Sequence, residues 1–124
     1  MALTMTSEQL EGYRATRRRR AAEDAERRRV RAEAARKMAR RAAALLRTEF
    51  GAVDVVLFGS LAEDDRFGMR SDIDLAARGI EGPALYSALG RLLALSAEFE
   101  FDLVDLDTCP RSLGEAIATQ GETL

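Results

Sequence analysis

Two aspartates separated by one isoleucine, Asp72 and Asp74, interrupt a segment that otherwise reads as apolar strand, SDIDLAA at 71–77. Side chains on a strand alternate faces, so the two carboxylates point the same way and stand side by side. Like charges so placed repel, and burying them costs several kcal/mol each unless a cation lies between them. A divalent metal ion meets that requirement. The chain has no histidine and one cysteine, Cys109, so any metal must accept oxygen ligands, which points to Mg2+. The same absence removes serine–histidine triads and histidine bases, leaving carboxylates to move protons. A third acid, Asp102, lies in the alternating run EFEFDLVDLD at 98–107. Glu100, Asp102 and Val104 share one face there, and Phe99, Phe101, Leu103 and Asp105 the other. If that run lies beside residues 72–77, Asp102 reaches the aspartate pair. Three carboxylates at one point can hold two Mg2+ about 3.5–4 Å apart, clamping the attacking and leaving oxygens of a phosphoryl or nucleotidyl transfer.

Such a centre also needs a grip on phosphate. Gly59-Ser60 closes an apolar strand and opens the next turn. Glycine lets backbone N–H groups approach phosphate oxygens, and the serine hydroxyl adds a donor at the start of a helical turn. Taken singly, Gly-Ser after a strand is a turn, Asp-x-Asp is a solvated pair, and Asp102 is an exposed charge. Their joint occurrence at strand ends is far more specific.

The elements that must position these groups follow from residue patterning. Thr6-Ser7-Glu8-Gln9 reads as a helix start with a capping glutamine. From Ser7 to about Thr48 the chain is rich in Ala, Arg and Glu and holds one glycine, Gly12, where the helix can break. Glu23–Arg27, Asp24–Arg28 and Glu33–Lys37 have the favourable i,i+4 order. Val30, Ala34/Ala35, Met38, Ala42 and Leu45/Leu46 form an apolar stripe, so the second half should pack and the first should project. Gly51 stops the helix. We therefore divide the chain into a helical arm, 1–48, and an α/β domain, 49–124. Within the domain, Val53–Phe58 reads as a strand covered on both faces. Ser60–Asp64 is a short helix or turn, 65–71 a loop, and Asp72–Ala77 a second strand. A helix opens at Gly82-Pro83 and ends near Ala97, burying Leu85, Leu89, Leu92/Leu93 and Leu95. Residues 98–107 are the third strand. A last helix, Ser112–Gln120, is capped by Ser112 and stopped by Gly121.

The 124 residues make one domain with a single core. Nothing is long and apolar enough to span a membrane, the N-terminus lacks the pattern of a secretory signal, and one cysteine permits no intrachain disulfide. A cytoplasmic address is expected. Charge is unevenly spread. Residues 1–50 hold 14 Arg/Lys and 7 Asp/Glu, a balance of +7; the remainder holds 5 and 14, a balance of −9, giving the net −2. The arginine run at 17–20 can grip nucleic-acid phosphates, but seven interleaved acids favour a salt-bridged, solvated helix or a self-association arm.

Gly-Ser, a loop, Asp-x-Asp and a third aspartate on a later strand resemble the nucleotidyltransferases related to DNA polymerase β. Within them FGSLA…RFGMRSDIDLAA is similar to the minimal nucleotidyltransferase group, over about residues 45–124. The resemblance implies a small mixed sheet flanked by helices. It also implies that Gly59 and Ser60 bind nucleotide phosphates, that Asp72 and Asp74 ligate magnesium, and that Asp102 completes the metal site and helps activate the acceptor. The implied reaction moves AMP from ATP to a hydroxyl, releasing pyrophosphate. Group members are often antitoxins that adenylylate a tyrosine of a HEPN-domain ribonuclease toxin, so a HEPN-type partner and ATP are expected. The spacing departs from the family's: eleven residues, Leu61–Ser71, separate Ser60 from Asp72, where ten are usual. The extra residue falls in Glu63-Asp64-Asp65, whose charge opposes a triphosphate; Arg66 or Arg70 would compensate, and Arg70 is assigned to the phosphates. The alternatives are a non-catalytic module of this fold that neutralises its partner by contact, and a nucleic-acid binder acting through the arginine arm.

Overall fold

A computed structural model of the chain describes residues 4–63 and 66–124. Its first element is one unbroken 44-residue helix, α1 (Ser7–Phe50), about 66 Å long at 1.5 Å per residue. The Thr6 side chain accepts from the Gln9 backbone N–H (3.1 Å), and the Gln9 amide oxygen accepts from the Thr6 N–H (2.9 Å). At the other end Gly51, in the left-handed conformation, closes the helix with its N–H on the Leu46 carbonyl. Gly12 does not interrupt it: the flanking helix formers and the intact cap outweigh the roughly 1 kcal/mol cost of one glycine.

Two strands follow, β1 (Asp54–Phe58) and β2 (Ile73–Arg78), then α2 (Ala84–Leu93), β3 (Phe101–Asp105), α3 (Arg111–Gln120) and a two-residue β4 (Glu122–Thr123). The sheet order is β3-β2-β1-β4. β1 runs antiparallel to β2 and β4, whereas β2 and β3 are parallel, joined by the α2 crossover. This is a small mixed sheet flanked by helices with a long N-terminal helix, the fold class read from sequence.

One sheet face carries Val55, Leu57, Ile73, Leu75, Ala77 and Phe101, which share a single core with Ala35, Ala39, Ala42, Ala43 and Leu46 of α1 and Ala88 and Leu92 of α2. Alanine at four of the five buried α1 positions lets the helix backbone lie close on the sheet. α3 meets β1 from the other face, where an added Cβ at Gly121 would collide with Val56 and the Ile117 carbonyl.

Several sequence expectations are corrected. Val30 is 51% exposed, so the packed stripe begins one turn later. β1 is covered fully on one face and only in part on the other: Val53 is 69% exposed and precedes the strand, and buried Val55 and Leu57 alternate with half-buried Val56 and Phe58 on the face that α3 meets. α2 stops at Leu93 rather than Ala97, and Leu93 faces solvent. β3 starts at Phe101, after a turn in which Ser96 accepts from the Glu98 N–H. Pro110, not Ser112, precedes α3, without a side-chain cap. The arm's acids pair differently from the i,i+4 expectation: Arg29 bridges Glu26 (2.6 Å) and Glu33 (2.7 Å), and Arg27 pairs with Asp24. β4 has no counterpart in the reading, because two residues carry no periodicity.

Candidate active site

Strand register assembles the centre. Phe58 on β1 lies opposite Asp74 on β2, and Asp74 lies opposite Asp102 on β3. Side chains paired in this way share a face, so Asp74 and Asp102 project together from the face opposite the α1–α2 core. Asp72 immediately precedes β2 and by alternation points to the same side. Asp72 and Asp74 are half-buried and Asp102 is exposed.

The electrostatics report the crowding. The Asp74 carboxyl is pushed up to about 6, first by burial, then by the negative charges of Asp102 and Asp72, and by a side-chain hydrogen bond with Asp102. Two carboxylates side by side keep a proton between them to higher pH than either alone.

Gly59 follows β1 with φ of +73° and opens a three-residue 3-10 turn, Gly59–Leu61. A Cβ there would strike the Asp74 carboxylate. Two constraints therefore demand glycine, the left-handed backbone and the approach of the main chain to Asp74. Ser60 sits half-buried in that turn. The expected helix start is only this one turn, so what it offers a phosphate is individual N–H groups and a hydroxyl rather than a helix dipole.

The arginines of the following loop are less committed to the site. Arg66 pairs with Glu63 at 2.6 Å and is solvent-exposed. Arg70 is exposed in a turn and forms no ion pair with a described residue. Asp64 and Asp65 of the acidic triplet lie outside the described residues. Ser71 accepts from the Gly68 N–H (2.9 Å) and closes the turn before Asp72. Asp105 does not join the acidic group. Its carboxylate accepts from the Asp107 N–H and the Thr108 hydroxyl and shapes the turn after β3. Cys109 is free and half-buried.

Among the described residues, no three acidic, histidine or cysteine side chains converge tightly enough to cage an ion by themselves. Mg2+ seldom uses such cages. It is held by one or two carboxylates with substrate phosphates and water completing an oxygen shell. Asp74 and Asp102, with Asp72 beside them and Gly59-Ser60 across from them, suit that mode, and the raised Asp74 carboxyl marks a site short of positive charge.

Two side chains with no sequence signal also touch this region. Arg36 donates to the Leu61 carbonyl at 3.0 Å and Arg31 to the Gly68 carbonyl at 3.3 Å. Both contacts are long-range, which local pattern cannot disclose.

No protein-family model matches the chain, and no curated protein matches it significantly. Solved structures do. A toxin–antitoxin complex with AMP-PNP matches with 26% identity over 68% of this chain and 70% of that chain, at a TM-score of 0.59. The toxin–antitoxin MntA–HepT matches with 24% identity over 71% and 69%, at a TM-score of 0.55. A complex of a tri-AMPylated Shewanella oneidensis HEPN toxin with its MNT antitoxin matches with 24% identity over 72% and 70%, at a TM-score of 0.56. The chain thus carries the fold of the minimal nucleotidyltransferase (MNT) antitoxins.

Proposed function

We propose that this protein is a nucleotidyltransferase that moves AMP from ATP to a hydroxyl, a tyrosine of a HEPN-type partner toxin, and thereby acts as its antitoxin. The observation carrying this reading is the register that sets Phe58, Asp74 and Asp102 side by side across three strands, with Gly59 of the next turn against the Asp74 carboxylate. Similarity to a toxin–antitoxin complex holding AMP-PNP supports the nucleotide, and the tri-AMPylated toxin in a complex of the same fold supports the acceptor.

The chemistry follows from the side chains. Gly59 and Ser60, with Arg70 reaching in from the loop, hold the β- and γ-phosphates. Asp72, Asp74 and Asp102 are the ligands available to Mg2+, which when bound neutralises charge on the phosphates and the departing pyrophosphate. Asp102, the most exposed of the three, takes the proton of the acceptor hydroxyl. The new bond joins the acceptor oxygen to the α-phosphorus, and the bond from that phosphorus to the pyrophosphate oxygen breaks. The tri-AMPylated toxin in a complex of the same fold supports a protein acceptor, and a cytoplasmic setting belongs to the same reading.

A second reading is a silent module of this fold that neutralises its partner by contact alone. The acidic triplet Glu63-Asp64-Asp65, which follows the phosphate turn in the sequence and opposes a triphosphate, favours it. Label transfer from α-labelled ATP to a purified HEPN-type partner separates the two. Transfer that disappears in Asp74→Asn supports the enzyme; tight partner binding without transfer supports the module.

A further inference from the structure

The segment linking the phosphate turn to the aspartate pair, residues 61–72, is held at both ends by arginines of α1. Arg36 donates from Nη2 to the Leu61 carbonyl (3.0 Å) and from Nη1 to the Glu122 carboxylate on β4 (2.7 Å). Arg31 donates from Nε to the Gly68 carbonyl and spreads its guanidinium over the rings of Phe99 (4.6 Å) and Phe67 (5.6 Å). Its side chain is only 13% exposed. Phe67 and Phe99 also touch each other, with centroids 6.3 Å apart, tying the link to the approach to β3. Near these braces the helix and the link part, leaving a cleft of about 620 Å³ lined by Ala25, Arg28, Ala32, Arg36, Leu61 and Phe67. Leu61 and Phe67 of the link are buried in the core shared with α1, and the two arginines add polar braces to its backbone beside that packing.

We propose that Arg31 and Arg36 are positioning residues for the nucleotide site: neither touches the nucleotide, and its affinity depends on both. The inference rests on the nucleotidyl-transfer reading above. The 3-10 turn is anchored at one end by the buried Leu61 side chain, while its backbone has one internal bond, from the Ala62 N–H to the Gly59 carbonyl at 3.2 Å. A charged donor on the Leu61 carbonyl is a stronger restraint than a neutral one. Arg31 does the same at Gly68, next to the turn that Ser71 closes before Asp72. The buried contact of α1 with the sheet runs through Ala35, Ala39, Ala42, Ala43 and Leu46. Truncating either arginine therefore loosens the link and spares the fold.

The test combines calorimetric titration of AMP-PNP with Mg2+ and amide hydrogen exchange on the full chain, for Arg31→Ala, Arg36→Ala, Arg36→Lys and Glu122→Gln. Arg36→Ala should weaken AMP-PNP about tenfold, the scale of one charge-assisted hydrogen bond, and speed exchange at 60–63. Arg31→Ala should weaken it similarly and speed exchange at 67–71. Arg36→Lys, with one ammonium in place of the forked guanidinium, should fall between parent and Arg36→Ala. Glu122→Gln, which keeps the Leu61 contact, should match the parent in both readouts. In turnover the loss should appear as a higher KM with kcat little changed, because the carboxylates stand on β2 and β3. Parent-like exchange and affinity in both alanine variants would overturn the proposal. So would a Glu122→Gln effect equal to that of Arg36→Ala, since the pairing with β4 would then be what matters. A parent chain that binds no AMP-PNP removes the nucleotidyl-transfer reading and the affinity claim with it; local exchange still decides whether the arginines hold the link.

Discussion

Asp74 concentrates the physics of the site in one side chain. Its carboxyl is raised to about 6 by burial and by Asp102 and Asp72, so the folded state holds a proton that the unfolded chain releases near pH 4. With the folded value above the unfolded one, this proton's stabilisation is complete below about pH 4 and is lost as pH rises through about 6. The metal-free protein should therefore melt at lower temperature at pH 7 than at pH 5, and Asp74→Asn should flatten that slope and melt higher than the parent at pH 7. Thermal scans in chelator across pH 4–8 check this; a parent that gains stability from pH 5 to pH 7 while Asp74→Asn does not would contradict the sign. Mg2+ should stabilise the parent more at pH 7 than at pH 5, because proton and metal compete for the same oxygens. Gly59 is the matching backbone constraint. Gly59→Ala meets both a φ of +73° and the Asp74 carboxylate, and should cost about 1–3 kcal/mol of stability by denaturant titration and abolish AMP-PNP binding. Asp105→Asn, which keeps one oxygen for the Asp107 N–H, should leave transfer intact.

At the scale of elements, α1 divides its work along its length. From residue 32 onward it supplies core, whereas residues 17–30 are exposed throughout. Deleting residues 1–20 should leave the melting temperature of the domain unchanged and alter only assembly or partner affinity, measured by light scattering and titration. Leu46→Ala, at a fully buried position, should cost about 2–5 kcal/mol. These contrasts were largely legible from residue pattern: alanine and leucine spacing marks the packed half, and Thr6 with Gln9 marks the start. The candidate site was legible as a pattern for a similar reason. Asp72 and Asp74 break an apolar strand, Gly-Ser ends another, and alternation alone put Asp102 on the face away from Phe101. What pattern could not supply was the partner of each strand. The Asp74–Asp102 pairing depended on β2 and β3 being neighbours, which is tertiary information. The braces from Arg31 and Arg36 were hidden for the same reason. Hydrophobicity ranks Val30 as core, but its side chain is left half exposed on the helix surface while its neighbour Arg31 packs on Phe67 and Phe99.

The molecule as a whole joins a helix with an excess of arginine to an acidic domain, and a continuous helix holds the projecting part away from its own body. In the proposed reaction the arm is free to meet a second molecule, the protein acceptor brought to the exposed Asp102. The most direct measurement is transfer of label from α-labelled ATP to the purified HEPN-type partner in the presence of Mg2+, made in parallel for the parent and for Asp102→Ala, with AMP-PNP affinity determined for each. The account predicts transfer by the parent, a loss of at least about a hundredfold in Asp102→Ala as befits removal of a general base, and AMP-PNP affinity that stays measurable through Gly59, Ser60, Asp72 and Asp74. Normal transfer by Asp102→Ala, or a parent that binds both ATP and partner yet transfers nothing, would contradict it.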